Sequence, residues 1–263
     1  VVADLAGEKV ADLLLINDRD LSYAKLRFDD RSIATLKTHL GKFDDALARA
    51  LCWASIWDMH RDAEISSSDF IEIALNGLAG ETDDAIVNIV LMQLNTSVEA
   101  YAKDSNRAAY REKLANGLWA LTQNSAPGSD LQLLISRAFA INAQTPEQTA
   151  KIRELLNGGA PGLKVDTDLR WYFLIALTER GATTKAELDA ELATDNTTTG
   201  NLAFETCLAA MPNNEAKAYA FNKVLNEDIV TSIRSALIAG FQRPIQRELL
   251  EPFVNLYFDN LIN

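Results

Sequence analysis

A chain of 263 residues, 48% of them hydrophobic and with only 12 Gly and 6 Pro, has enough apolar side chain to bury a core and too little chain-breaking composition for disorder. Its formal charge of −12 repels phosphate backbones and argues against nucleic acid as a partner; it would favour a cationic ligand such as the free amino end of a peptide, although solubility alone accounts for it. No apolar run approaches the roughly 20 residues that cross a membrane, and no basic stretch precedes an apolar one at the N-terminus. The expectation is a cytoplasmic protein with no membrane partner. Residues 1–12 are weakly patterned and read as a linker or a partial strand. Leu13 to Ile16 is apolar and long enough for one strand, and Asn17-Asp18-Arg19-Asp20 reads as a turn, because Asn and Asp side chains bond to nearby backbone. From Leu21 to Phe28 the period is two: Ala24, Leu26 and Phe28 fall on one face, Tyr23, Lys25 and Arg27 on the other. Two strands do not make a stable sheet, and nothing later in the chain offers a partner. The expectation is that the natural polypeptide continues upstream, in keeping with an opening that lacks Met, and that the unpaired strands of residues 13–28 could pair two copies into a dimer.

After Asp30 the period becomes helical and stays so. Ile33, Leu36 and Leu40 mark a first helix that Gly41 can end. Leu47, Ala50, Leu51, Ala54 and Trp57 form a stripe on the second, widened by Trp53 and Ile56. Ser66 to Ser68 offer N-caps for a third helix carrying Phe70, Ile71, Ala74 and Leu78, closed by Gly80. A long helix is expected from Thr82 to about Lys103, then a fifth with Leu114, Leu118 and Leu121, a break at SAPG (125–128), and a stripe of Leu131, Leu134, Ile135 and Ala138. Thr145-Pro146-Glu147-Gln148 is a helix start with Thr as N-cap and Pro at the first position. The interruption GGAPG (158–162) reads as a loop, since periodicity resumes with Leu169, Tyr172, Phe173, Ala176 and Leu177. Thr184-Lys185-Ala186-Glu187 reads as a capping box. Helices around 204–211, 216–225 and 229–240 follow, and Pro244 opens a last helix that Pro252 should kink or split, with Phe253, Val254, Tyr257 and Leu261 on its apolar face. About a dozen helices with short connections describe an all-α fold, expected as a curved α-solenoid of HEAT or armadillo kind, with a compact irregular bundle as the alternative.

The chemistry-bearing residues are few. A hydrolytic zinc site needs three protein ligands and an open position, and HExxH is the usual source of two of them. The chain has only His39 and His60, neither followed by Glu, and both near expected helix ends, where an imidazole favours the helix dipole. Cys52 and Cys207 sit among apolar residues and are expected as buried free thiols, their pairing left open. Cys52 and His60 lie two helical turns apart, too far along the axis for a nucleophile dyad. Asp29-Asp30, Asp44-Asp45 and Asp83-Asp84 precede helices and read as caps, and Glu227-Asp228 reads as a connection. GGAPG lacks the Lys-Ser/Thr ending of a phosphate loop. Trp53, Trp57, Trp119 and Trp171 lie on helical stripes and read as core. No nucleophile, base and orienting group can be placed together, so no catalytic, cofactor-binding or metal-ligating residue is assigned.

Four stretches carry a resemblance: NDRDLSYAKLRFDDRS at 17–32, LARALCWASIWDMHRDAEISSSDF at 47–70, AGFQRPIQRELLEPF at 239–253, and VNLYFDNL at 254–261. In this order they resemble the C-terminal helical domain of actinobacterial-type aminopeptidase N, in the gluzincin family of zinc metallopeptidases, which is similar to that of the endoplasmic-reticulum aminopeptidases. The resemblance implies that residues 1–30 end an upstream β-sandwich and that 31–263 form the helical domain. It implies a parent enzyme that removes N-terminal amino acids from peptides with zinc held by the upstream catalytic domain, and a helical domain that covers the cleft and gates peptide entry. The family's HExxH and GAMEN motifs are absent from this chain, so none of its catalytic residues transfer, and Tyr23 and Arg27 match a strand motif as structure only. The alternative is a free-standing α-solenoid that binds a protein partner.

Overall fold

The computed structural model describes residues 6–261. The chain divides into two compact units between Asn142 and Ala143. The first holds α1 (Asp30–His39), α2 (Ala46–Arg61), α3 (Ser67–Leu78), α4 (Asp84–Thr96), α5 (Asp104–Asn124) and α6 (Asp130–Asn142). The second holds α7 (Pro146–Leu156), α8 (Thr167–Thr178), α9 (Lys185–Thr194), α10 (Thr198–Ala210), α11 (Asn214–Asn226), α12 (Thr231–Phe241) and α13 (Arg247–Leu261). The glycine-rich run at 158–162 is a loop between α7 and α8, as the periodicity implies; the division falls one helix earlier.

Most helix starts follow from side-chain chemistry legible in the sequence. Asp29, Asp45 and Asp83 each accept hydrogen bonds from first-turn amides of α1, α2 and α4, so three of the acidic pairs are caps. Ser66 caps α3, and Thr145 with Gln148 forms the reciprocal box at α7. The box expected at Thr184 is only half made. Thr184 accepts from the Glu187 amide, but the Glu187 carboxylate pairs with Arg153 of α7 instead.

Four expectations are corrected. No strand occurs among the described residues: 13–28 holds a short 3-10 turn at Asp18–Asp20 and otherwise runs irregular or extended. A strand needs a ladder partner, and here the segment is held by side chains, so the unpaired-edge argument for a dimer through 13–28 falls with it. The stripe on α2 is the wrong face: Leu47 and Ala54 are exposed, while Arg49, Cys52, Trp53, Ile56, Met59 and His60 are buried. A helix apolar nearly all round gives periodicity no single face to choose. The long fourth helix ends at Thr96 and passes into a π-helical turn, Ser97–Tyr101, closed by the Ala102 amide on the Ser97 carbonyl at 2.8 Å. Pro252 lies within α13 without splitting it, and Val254 and Tyr257 are half exposed, while Phe253 packs on Phe221 and Phe241. Leu261 closes α13, and its side chain lies outside the described residues.

The first unit packs α1 along α3 and α5 along α6 around Leu36, Ile56, Phe70, Ile71, Leu94, Leu114 and Phe139. One contact there is backbone on backbone. A Cβ on Gly80 would lie 2.1 Å from the Gly41 carbonyl oxygen, and one on Gly41 would lie 2.5 Å from that of Gly77. The two glycines follow the ends of α1 and α3, as expected of helix stops, and they also let the turn after α1 touch the end of α3. The second unit packs α10 against α12 through small residues, with Thr206 donating to the Ala236 carbonyl at 3.2 Å and Ala209 against Gly240.

Each unit also buries a charge at helix ends. Glu81 accepts from Arg49 (Nη2–Oε1 3.0 Å), from Trp53 Nε1 at 3.0 Å and from the Thr82 and Asp83 amides at the entrance to α4. Burial raises its pKa, but Arg49, Trp53 and the two amides outweigh that and hold it below the ordinary carboxylate range. In the second unit Lys217 is fully buried, and its Nζ donates to the carbonyls of Ala209, Gly240 and Phe241, at the ends of α10 and α12. Burial, aided by Arg243, pushes that ammonium down to about 8.

Two outcomes follow for urea unfolding. Glu81→Ala strands the Arg49 charge and should cost about 3–5 kcal/mol, whereas Glu72→Ala on the exposed face of α3 should cost no more than about 1 kcal/mol. Gly80→Ala forces a methyl into backbone that has no rotamer to yield, and should cost about 1–3 kcal/mol.

Candidate functional site

The residues the sequence singles out for chemistry do not assemble. His39 is exposed at the end of α1, its Nδ1 2.7 Å from Thr38 Oγ1. His60 is buried in the last turn of α2 in a cluster of rings: it stacks on Phe70 at 4.8 Å and meets Tyr101 edge-on at 5.4 Å and Trp57 at 5.8 Å. Its Nδ1 lies 3.0 Å from the Ile65 carbonyl, so the proton of the neutral ring sits on Nδ1. Cys52 and Cys207 are buried free thiols, and burial pushes each up to about 12, which removes them as nucleophiles at neutral pH. Glu227 and Asp228 lie in the connection between α11 and α12. Trp53 and Trp171 are buried and donate to Glu81 and Asp195, Trp57 joins the His60 cluster and Trp119 packs on Phe139, so all four are structural. Among the described residues no three His, Cys, Asp or Glu side chains gather as metal ligands. The two histidines do not fit a hydrolytic zinc site: one is engaged at the surface and the other is enclosed by rings.

What the structure does build is a cleft of about 610 Å³ between residues 17–26 and α2. Leu26, Leu51 and Ala54 give it an apolar floor, with Asp20, Lys25 and Asp58 among its polar lining. The α2 stripe read as core thus partly faces this opening. Its outer wall starts from a tight turn. The Asn17 side chain accepts from the Ser22 amide at 2.9 Å and donates to the Ser22 carbonyl at 2.7 Å, the local bonding that the Asn-Asp turn implies. Arg19 and Asp20 adopt positive φ (64° and 52°), a conformation that costs side-chain-bearing residues energy. Leu14, Ile16, Leu21 and Tyr23 on the same segment are exposed, an apolar stretch with no core of its own.

The wall is tied down by the connection between α2 and α3. Lys25 Nζ binds Asp62 at 2.9 Å, Arg27 binds both Asp62 and Glu64, and the Phe28 amide points at Met59 Sδ at 3.3 Å. The Lys25 ammonium holds the Asp62 carboxyl below the ordinary range, and Glu64 raises the Arg27 guanidinium. His60 supports this connection from beneath through Ile65. Sequence reasoning missed these partners: Lys25 and Arg27 lie 37 residues from Asp62 and Glu64 respectively, and no local spacing links them.

Residues 13–263 match the ERAP1-like C-terminal domain. The chain belongs to that family. Across 263 residues it is also 40% identical to "Aminopeptidase N" of Streptomyces lividans, covering 99% of this chain and 31% of that protein. The chain therefore spans about a third of the length of the curated relative it matches. In this ERAP1-like C-terminal domain the match begins at Leu13, so the segment forming the cleft wall lies inside the family's span. No helix among the described residues is long and apolar enough to cross a membrane.

Burial lowers the pKa of His60 more than its bond to Ile65 raises it. Below the ordinary value of about 6.5 the unfolded chain therefore binds a proton that the folded one resists, and stability is lost as pH falls from there. Urea unfolding at pH 7.5 and 5.5 should show that loss in the native protein, and His60→Gln should show a smaller one.

Proposed function

We propose that this chain is the non-catalytic C-terminal domain of a larger cytoplasmic zinc aminopeptidase that removes N-terminal amino acids from peptides. The observation that carries the reading is the extent of the family match together with the share of the relative that this chain covers. In it, the zinc ligands, the general base and the peptide-cleaving groups belong to an upstream catalytic domain, consistent with a chain whose own histidines do not fit the metal. The helices, in the curved HEAT-like stacking expected from their short connections, cover the active-site cleft and limit entry to peptides. Residues 1–30 form the junction with an upstream β-sandwich, and the exposed Leu14, Ile16, Leu21 and Tyr23 are the side chains that such a neighbour would bury. The acidic surface suits the cationic amino end of a peptide.

Two measurements test this. The 263-residue chain, purified without added metal and dialysed, should carry no stoichiometric zinc by mass spectrometry and hydrolyse no amino-acid p-nitroanilide; one zinc per chain with turnover that survives further purification would overturn the assignment. In the longer polypeptide, deleting the region equivalent to 31–263 should narrow the ratio of kcat/KM between short peptides and large unfolded chains. An unchanged ratio would remove the gating role and leave the assignment of the catalytic groups upstream in place.

A further inference from the structure

The segment that enters the helical domain has two distinct mechanical parts. At Asn17–Ser22 it makes a turn in which two residues with side chains hold positive φ, closed on itself by Asn17. At Lys25–Phe28 it is fastened to the α2–α3 connection by Asp62, Glu64 and Met59. Leu21 in the turn and Tyr23 just beyond it are 83% and 110% exposed, while Phe28 at the far end is buried in the core. Ahead of Phe28 the fastening is electrostatic, and it is only partly shielded: the four charged side chains retain between 34% and 56% of their exposure.

Its far side is not soft. The connection carrying Asp62 and Glu64 is held by the Ala63 amide on the His60 carbonyl, by the Glu64 and Ile65 amides on the Met59 carbonyl, and by His60 Nδ1 on the Ile65 carbonyl. Ala63, at φ 61°, is the remaining residue other than glycine with positive φ among those described, which makes this a tight and specific turn. A rigid acidic bracket thus grips the middle of a segment whose two ends are held separately, by buried Phe28 on one side and, on the other, by Asp12 on Arg31 and Thr35 and the Leu14 amide on Ser32.

We propose that Asp62 and Glu64 are an electrostatic latch on Lys25 and Arg27, which holds residues 19–27 in place as the wall of the cleft beside α2 and whose release lets that stretch lift away between its anchors at Asp12–Leu14 and Phe28. A latch of partly exposed ion pairs is weakened by salt and by neutralising either side.

Trypsin reads the latch directly, because it cuts after the two latched residues, while the exposed Lys9 lies outside and serves as the reference. In the 263-residue chain, Asp62→Asn combined with Glu64→Gln should accelerate cleavage after Lys25 and Arg27 about five- to tenfold relative to cleavage after Lys9, with the far-UV circular dichroism of the helices unchanged. Raising sodium chloride from 20 mM to 500 mM should shift the same ratio in the same direction in the native sequence, and should have no such effect in the double variant. Were the double variant to lose its helical signal, the salt series on the native sequence decides alone. A cleavage ratio that stays constant across the salt series, or that is the same in the folded double variant as in the native chain, overturns the latch.

Discussion

Helix ends govern this structure. Among the described residues thirteen helices joined by short connections bring many termini into the interior, and each terminus presents amides or carbonyls that have no partner within their own helix. The exposed starts are closed cheaply by Asp, Ser and Thr caps. Inside, where water is excluded, a charge does the work. Glu81 accepts from the first amides leading into α4 while gripping Arg49 and Trp53 on α2, and so joins two helices through the polar groups that would otherwise oppose their packing. Lys217 does the converse in the second unit, donating to carbonyls at the ends of α10 and α12. The opposite signs follow from the dipole: a carboxylate suits an N-terminus and an ammonium a C-terminus.

Close approach is the second constraint, and it explains residues that periodicity reads as punctuation. Gly41 and Gly80 are placed where backbone meets backbone, and Gly240 where α12 lies on Thr206 and Ala209 of α10. A side chain at any of these would push elements apart rather than merely strain a turn. The π-helical turn after α4 belongs with these adjustments. It ends the helix near the His60 cluster and brings Tyr101 against that ring, so one extra residue in the turn helps enclose the histidine.

Among the described residues the side chains singled out for chemistry have other partners: both thiols are buried, one histidine is ringed by aromatics, and Asp29, Asp45 and Asp83 cap helices. The cleft beside residues 17–26, the exposed apolar side chains around it and the acidic bracket on the α2–α3 connection lie together, inside the span of the family match. That is consistent with a family member spanning about a third of its relative's length.

The sequence by itself determined what depends on near neighbours along the chain. Helix number and order, the caps at Asp29, Asp45, Asp83, Ser66 and Thr145, the Asn17 turn and the motifs shared with the aminopeptidase N family were all legible, because each rests on residues within a turn or two of one another. The tertiary structure alone decided the rest. It turned the mixed apolar face of α2, leaving Leu47 exposed and His60 buried, since a helix with apolar residues on every side takes its orientation from whichever neighbours pack on it. It withheld the strands at 13–28, because alternation is only a capacity for pairing and a ladder needs a second strand. It made Glu81, Lys217 and the Lys25–Asp62 and Arg27–Glu64 pairs important, because a charge acquires its partner and its energy from distance and dielectric in three dimensions, and neither is written in spacing along the chain.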